Sequence, residues 1–131
     1  MTTASPGLAV LIRYFKALEV PDTEEVLACF SQDCFYSHPG IVVEGAPRTR
    51  IEARGRDGLR EFLRLRGNRR AFHVVDRWVL DGDHGFLAGH MSDTTTFLSE
   101  FALDRDGLIR YYAGYRSDPG VGTTIPGSPT P

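Results

Sequence analysis

The chain has 131 residues, of which 41% are hydrophobic and 24% are charged, and its formal net charge is -2. This composition predicts one ordinary globular domain, and the slightly acidic balance argues against nucleic acid as a partner. No basic stretch followed by an apolar core opens the chain, and no apolar run approaches the roughly 20 residues that span a bilayer, so we expect neither secretion nor a membrane partner.

The two cysteines, Cys29 and Cys34, are close together in the sequence and belong to no spacing typical of zinc ligands. A disulfide between them would close only a short loop. We therefore expect two reduced core thiols, no metal site and a cytoplasmic protein.

The first third of the chain predicts two helices. A helical stripe that ends before Pro21 is formed by Leu8, Leu11, Ile12, Phe15 and Leu18, with Tyr14 at its edge. A second helix is expected to begin at Asp22, because Asp22 and Glu25 have the spacing of a capping box. Residues 34–37 then predict a short strand, and residues 41–44 predict a further extended segment.

A third helix is predicted from a cap at Asp57 to about Arg66, with Gly67 as its stop. Nine arginines lie between Arg48 and Arg70, interleaved with Glu52, Asp57 and Glu61. A phosphate-binding surface is one interpretation of this cluster. The interleaved carboxylates favour the other, a solvated and partly paired helical face.

After Arg70 the apolar period changes to that of strands. Four runs rich in aromatic and β-branched residues, 72–80, 85–92, 96–103 and 108–116, alternate with turn sequences at 81–83, 93–95 and 104–107. They predict an antiparallel meander covered on one face by the helices, which is an α+β architecture. We expect residues 1–118 to form a single domain and the Pro- and Gly-rich residues 119–131 to form a flexible tail.

A tight turn at 104–107 would place Ser99 opposite Tyr112 and Phe101 opposite Arg110. Alternation then puts Phe97, Ser99, Phe101 and Tyr112 on one face, and Leu98, Glu100, Tyr111, Ala113 and Tyr115 on the other. The first face fits an apolar pocket with a few polar groups, and it equally fits plain core.

His38 stands where a predicted strand breaks at Pro39-Gly40. Because histidine titrates near neutral pH, this position is suited to acid–base chemistry. The alternative is that His38 only forms hydrogen bonds within the turn.

The order of elements resembles that of the nuclear transport factor two-like superfamily, in which a curved sheet wraps a long helix into a cone. The stretches that carry the resemblance are 11–22, 26–33, 54–62 and 106–109. Within the superfamily the chain is most similar to ketosteroid isomerases and SnoaL-like polyketide cyclases. The fold alone does not specify an activity.

The resemblance implies roles for particular residues. Tyr14 stands where the isomerases carry a tyrosine that donates to an oxyanion, and His38 before Pro39 replaces their aspartate base. Ser99 replaces a second donor, a protonated aspartic acid. In the cyclases a catalytic histidine matches His90, whereas their aspartate again falls at Ser99.

Our leading hypothesis takes Tyr14, His38 and Ser99 as catalytic, with neutral His38 removing a proton next to a carbonyl. The expected substrate is a small hydrophobic carbonyl compound, the expected cofactor is none, and the outcome is isomerisation or aldol cyclisation. The residues expected to bind it are His90, Tyr112, Phe97, Phe101 and Trp78. The competing hypothesis is a non-catalytic ligand-binding or dimerisation domain. In either case we expect a homodimer formed through the sheet, and Tyr111 and Tyr115 could also serve a purely structural interaction.

Overall fold

Helices cover one face of a curved six-stranded sheet. A computed structural model describes residues 6–40, 49–92 and 94–117. Its elements, in chain order, are α1 (Pro6–Glu19), α2 (Thr23–Ala28), β1 (Phe30–His38), β2 (Ile51–Arg54), α3 (Gly55–Arg66), β3 (Val74–Asp81), β4 (His84–His90), β5 (Thr96–Leu103) and β6 (Ile109–Arg116). The α+β fold class predicted from the sequence is confirmed. No helix of the described segments is long and apolar enough to cross a membrane.

The predicted meander is present and forms the larger part of the sheet. Strands β3 to β6 pair antiparallel in sequence order, and β1 joins the edge of β6 in parallel, which gives the order β2-β1-β6-β5-β4-β3. Strand β1 is longer than the predicted 34–37, and the antiparallel strand β2 was not predicted. The extended segment expected at 41–44 and the tail expected at 119–131 lie outside the described residues.

Three of the four predicted helix boundaries follow the local signals, and α1 ends before Pro21 as expected. Helix α2 begins as predicted, since the Asp22 side chain accepts a hydrogen bond from the Glu25 backbone N–H at 3.1 Å. Helix α3 ends at Gly67, whose φ of 68° favours glycine. The start of α3 was predicted wrongly. It lies at Gly55, and Asp57 is inside the first turn instead of at the cap.

The register between β5 and β6 also differs from the prediction. Ser99 pairs with Gly114 and Phe101 with Tyr112, a shift of two residues in all. One residue comes from the turn, where Leu103 pairs with Ile109, and the other from an irregularity between Ala102 and Leu103. A shift of two residues leaves every side chain on its predicted face. Phe97, Ser99, Phe101 and Tyr112 are therefore all buried on the concave side, as expected.

The core lies between α1, α3 and the concave face of the sheet. Cys29 and Cys34 are buried and are not joined in a disulfide. Burial raises the pKa of each thiol to about 11, so both are protonated at neutral pH. Phe101, predicted to contact substrate, is instead fully buried core.

Candidate functional site

A cavity of about 450 Å³ lies between the helices and the concave face of the sheet. Each surrounding element contributes a side chain. Helix α1 supplies Tyr14, β1 supplies His38, α3 supplies Phe62, β5 supplies Ser99 and β6 supplies Tyr112. The three residues predicted to be catalytic, Tyr14, His38 and Ser99, thus line one cavity.

Four hydroxyl groups form a cluster in this cavity, which we call the hydroxyl cluster: Tyr14, Tyr36, Ser99 and Tyr112. The Tyr14 and Tyr36 oxygens are 2.6 Å apart, and the Ser99 and Tyr112 oxygens are 2.8 Å apart. The Tyr14 ring lies edge-on to Tyr112 with centroids 5.1 Å apart, so the two hydrogen-bonded pairs are neighbours. Tyr36 was not predicted as a site residue. The alternation of side chains in a short strand does not show that its hydroxyl group meets that of Tyr14.

Burial keeps the phenols of the hydroxyl cluster neutral. It raises the pKa of Tyr14, Tyr36 and Tyr112 above the ordinary tyrosine value, and neighbouring phenols raise that of Tyr14 further. Four hydroxyl groups carry four protons, whereas the two hydrogen bonds of the cluster use two. The cluster can therefore still donate to an oxygen atom placed beside it.

His38 lines the cavity beside Tyr36 and Phe62, with ring centroids 6.4 and 4.9 Å away. Its Nδ1 accepts a hydrogen bond from the Gly40 backbone N–H at 2.9 Å. A neutral imidazole that accepts at Nδ1 carries its proton on Nε2. In this arrangement neutral His38 offers a donor at Nε2, and the base role expected from the sequence stays a prediction. The turn hydrogen bond that we considered as an alternative is present.

A second histidine, His73, lines the same cavity and was missed. It stacks on Phe15 with centroids 4.4 Å apart and meets Phe97 edge-on at 4.8 Å. Burial, together with the charges of Arg116 and Arg66, lowers its pKa to about 4, so His73 is neutral at pH 7. Within the described residues its buried Nδ1 has no hydrogen-bond partner. His73 precedes β3 directly, and no motif of the sequence marked it.

Of the five residues predicted to bind substrate, Phe97 and Tyr112 line the cavity, and Phe101, His90 and Trp78 do not. His90 lies on the convex face, where its Nδ1 is 2.8 Å from an Asp76 carboxylate oxygen. Trp78 pairs with Leu87 and so shares the face of Ser99, but at the β3 edge it remains 51% exposed. These placements correct the prediction for all three.

The described lining of the cavity contains four arginines and two histidines but no aspartate or glutamate. The general base of this cavity, if it is a side chain of that lining, must therefore be a histidine. In the described ranges no three His, Cys, Asp or Glu side chains gather as metal ligands.

Comparisons with known proteins agree on the fold. A family model described as a SnoaL-like domain matches residues 11–120. A SnoaL-like protein of unknown function from Burkholderia thailandensis is 16% identical, with a TM-score of 0.66, covering 90% of this chain and 100% of its own. A candidate isomerase of the SnoaL-like family from Agrobacterium tumefaciens is 12% identical, with a TM-score of 0.66 and coverages of 88% and 100%. TerC, crystallised with polyporic acid, is 18% identical, with a TM-score of 0.66 and coverages of 85% and 91%. No curated protein matches the chain.

Proposed function

Given that the chain belongs to the SnoaL-like family, we propose that it is an enzyme that moves a proton next to the carbonyl group of a small hydrophobic molecule, without a cofactor. The single observation that carries this proposal is the hydroxyl cluster. Three neutral phenols and a serine hydroxyl sit in a cavity that also contains two histidines. Donors of this kind stabilise the oxygen of an enolate as its charge develops.

In the proposed reaction the carbonyl oxygen of the substrate lies against the hydroxyl cluster and accepts hydrogen bonds from it. A neutral histidine takes the α-proton, and the electron pair of the broken C–H bond moves onto the carbonyl oxygen. Returning the proton to a different carbon gives an isomer, whereas attack of the enolate carbon on a second carbonyl gives an aldol ring. Both outcomes balance without a redox partner.

The geometry supports different roles for the two histidines. His73 is neutral and its ring lines the cavity, so we assign it the base role. The pKa of His73 is about 4 in this structure. An enolate beside the ring favours the imidazolium and raises that pKa during the reaction. His38 holds its proton on Nε2 through the Gly40 contact, which fits a donor to the substrate or to the product.

The test is exchange of α-protons for deuterium in β,γ-unsaturated cyclic ketones, followed by proton NMR. We expect the wild type to accelerate exchange, and His73→Gln and Tyr14→Phe to lower the rate at least about 100-fold. His90→Gln, on the convex face, is the matched control and should exchange at the wild-type rate. Equal rates for the wild type and all three variants would contradict the proposal.

A second candidate function is non-catalytic binding of the same class of ligand. The absence of carboxylates from the described lining favours it, since a histidine base has to replace the aspartate of the isomerases. In that case the ketones would bind, measured by quenching of tyrosine fluorescence, and no exchange would follow.

The convex face of the sheet supports association with a second copy of the chain. Val79, Phe86, Leu98 and Tyr115 lie on this face, on four neighbouring strands, and are 46 to 66% exposed. A contiguous exposed apolar patch of this kind is typical of a protein interface. We propose that it forms the homodimer predicted from the sequence.

A further inference from the structure

The mouth of the cavity is lined by basic side chains. Arg66 ends helix α3, Arg69 and Arg70 follow it, and Arg116 closes strand β6. Arg70 donates to the Glu19 backbone carbonyl at 2.6 Å and lies over the Phe72 ring, and Arg116 donates to the Gly40 carbonyl at 3.4 Å. A backbone carbonyl and an aromatic ring hold the Arg70 guanidinium group in place without neutralising its charge.

Three other arginines of the helices are paired with carboxylates. Arg13 pairs with Glu25, Arg60 with Glu24, and Arg64 with Glu61. In contrast, Arg66, Arg69 and Arg70 form no ion pair within the described segments. The partly paired helical face predicted from the sequence is therefore correct for the outward side of α3 and wrong for the side that faces the cavity.

The positive charge of the arginines at the mouth affects titratable groups inside the cavity. Arg66 and Arg116 act on the pKa of Tyr36 and of His73, and lower both, as positive charges close to titratable groups do. A cavity with walls of low dielectric constant and charges of one sign focuses its field on an entering ion. Here the field favours an anion.

We propose that the substrate is an organic carboxylate whose flat hydrophobic body fills the cavity and whose carboxylate binds Arg66 and its basic neighbours at the mouth. The cavity of about 450 Å³ is large enough for a ring system of two to three rings, and aromatic side chains such as Tyr14, Phe62 and Phe97 line it. The guanidinium fork matches a carboxylate in two parallel hydrogen bonds. That this carboxylate is a substrate rests on the proposed function. Its binding to the arginines is predicted whether or not the protein is catalytic.

The experiment compares naphthylacetic acid, anthracene carboxylic acid and their methyl esters by isothermal titration calorimetry. We expect the acids to bind the wild type about tenfold more tightly than their esters, and the difference to shrink as salt is added. Arg66→Gln should remove most of that difference and leave ester binding unchanged. Arg66→Lys retains the charge and should restore part of it.

Arg64→Gln is the matched control, because Arg64 lies on the same helix but pairs outward with Glu61. It should leave the preference for acids intact. Equal binding of acid and ester to the wild type, equal losses for both in Arg66→Gln, or no binding of any acid overturns the inference. Exchange of neutral ketones in the same preparation would then show that the proposed function survives without it.

Discussion

The two faces of the sheet contain similar side chains in opposite surroundings. On the concave face Ser99 and Tyr112 are buried and bonded to each other. On the convex face Phe86, Leu98 and Tyr115 are about half exposed. The strands alternate regularly, so the difference comes from what covers each face, and α1 and α3 cover only the concave one.

Two histidines, one on each face of the sheet, show how the surroundings of a side chain affect its chemistry. His73 faces the cavity, and burial lowers its pKa to about 4. His90 faces outward, about half exposed, with Asp76 beside it. Desolvation and a positive field distinguish the first from the second, and residue type alone does not. The face on which a group lies therefore decides whether it can serve in the proposed reaction.

The sharpest test of the comparison exchanges each histidine for phenylalanine. We expect His73→Phe to lower the exchange rate by roughly 10² to 10⁴, the usual contribution of a positioned base. It should also raise the free energy of unfolding at neutral pH by about 1 kcal/mol, because a buried nitrogen without a partner disappears and the stack on Phe15 is kept.

The matched variant, His90→Phe, should change neither rate nor stability by a comparable amount. Exchange rates and urea unfolding measure the two quantities. A His73→Phe protein that is less stable and fully active would remove the distinction between the faces.

Neighbouring tyrosines on β6 give the next test, since Tyr112 points into the cavity and Tyr111 points outward and stacks on Phe35. Tyr112→Phe should lower the exchange rate about 100-fold, because one donor of the hydroxyl cluster is lost. Tyr111→Phe should keep the wild-type rate. The same loss in both variants would indicate a structural effect of the strand instead of a missing hydrogen bond.

The comparison of faces was largely predictable from the sequence. Helical spacing in α1, the cap at Asp22 and the strand alternation after Arg70 gave the elements, and alternation assigned Ser99 and Tyr112 to one face. The β5–β6 register was not predictable, because neither the turn that pairs Leu103 with Ile109 nor the irregularity after Ala102 has a local signature. The side chains are nevertheless on their predicted faces, because the register differs by an even number of residues.

The candidate site was predicted less completely. Tyr14, His38 and Ser99 were placed by family resemblance and do line one cavity. His73 was not found, since its position in the fold depends on stacking against Phe15, far away in the sequence. The donor role of His38 depends on one backbone contact with Gly40, which residue type cannot reveal.

A pH titration of stability sharpens the comparison further. The pKa of His73 is about 4 in the folded protein against 6.5 for an ordinary histidine. Between these values the unfolded chain binds the extra proton, so stability falls as the pH drops from 6.5 to 4 and is unaffected by this group above 6.5. The full loss is about 3 kcal/mol.

His73→Phe should lack this part of the loss, and His84→Phe, at the exposed start of β4, should retain it. Urea unfolding at several pH values measures the difference. Identical pH profiles for the wild type and His73→Phe would show that the concave face does not keep His73 neutral.

Small residues on the concave side of β4 give a test of packing. A Cβ at Gly89 would lie 1.8 Å from the Val74 carbonyl oxygen, which is far inside van der Waals contact. Gly89→Ala should therefore destabilise the protein by about 2 kcal/mol or more. Gly58→Ala in α3 meets nothing closer than 3.6 Å and should stabilise the helix by up to about 1 kcal/mol. Thermal unfolding distinguishes the two signs, and a neutral Gly89→Ala would show that the strand pair opens easily.

The smallest effect on the free energy of unfolding is expected on the convex face. A substitution there should instead change the oligomeric state, because this face forms the proposed dimer. Leu98→Glu replaces a side chain that is 46% exposed, so the free energy of unfolding of the monomer should change by less than about 0.5 kcal/mol. Light scattering coupled to gel filtration should nevertheless show a dimer for the wild type and a monomer for Leu98→Glu, because a buried unpaired carboxylate opposes association. Val20→Glu, at an equally apolar position after α1 that is 65% exposed, should remain dimeric. If all three proteins have the same mass, the convex patch is not the interface, and the exposed aromatic and aliphatic groups there have some other partner.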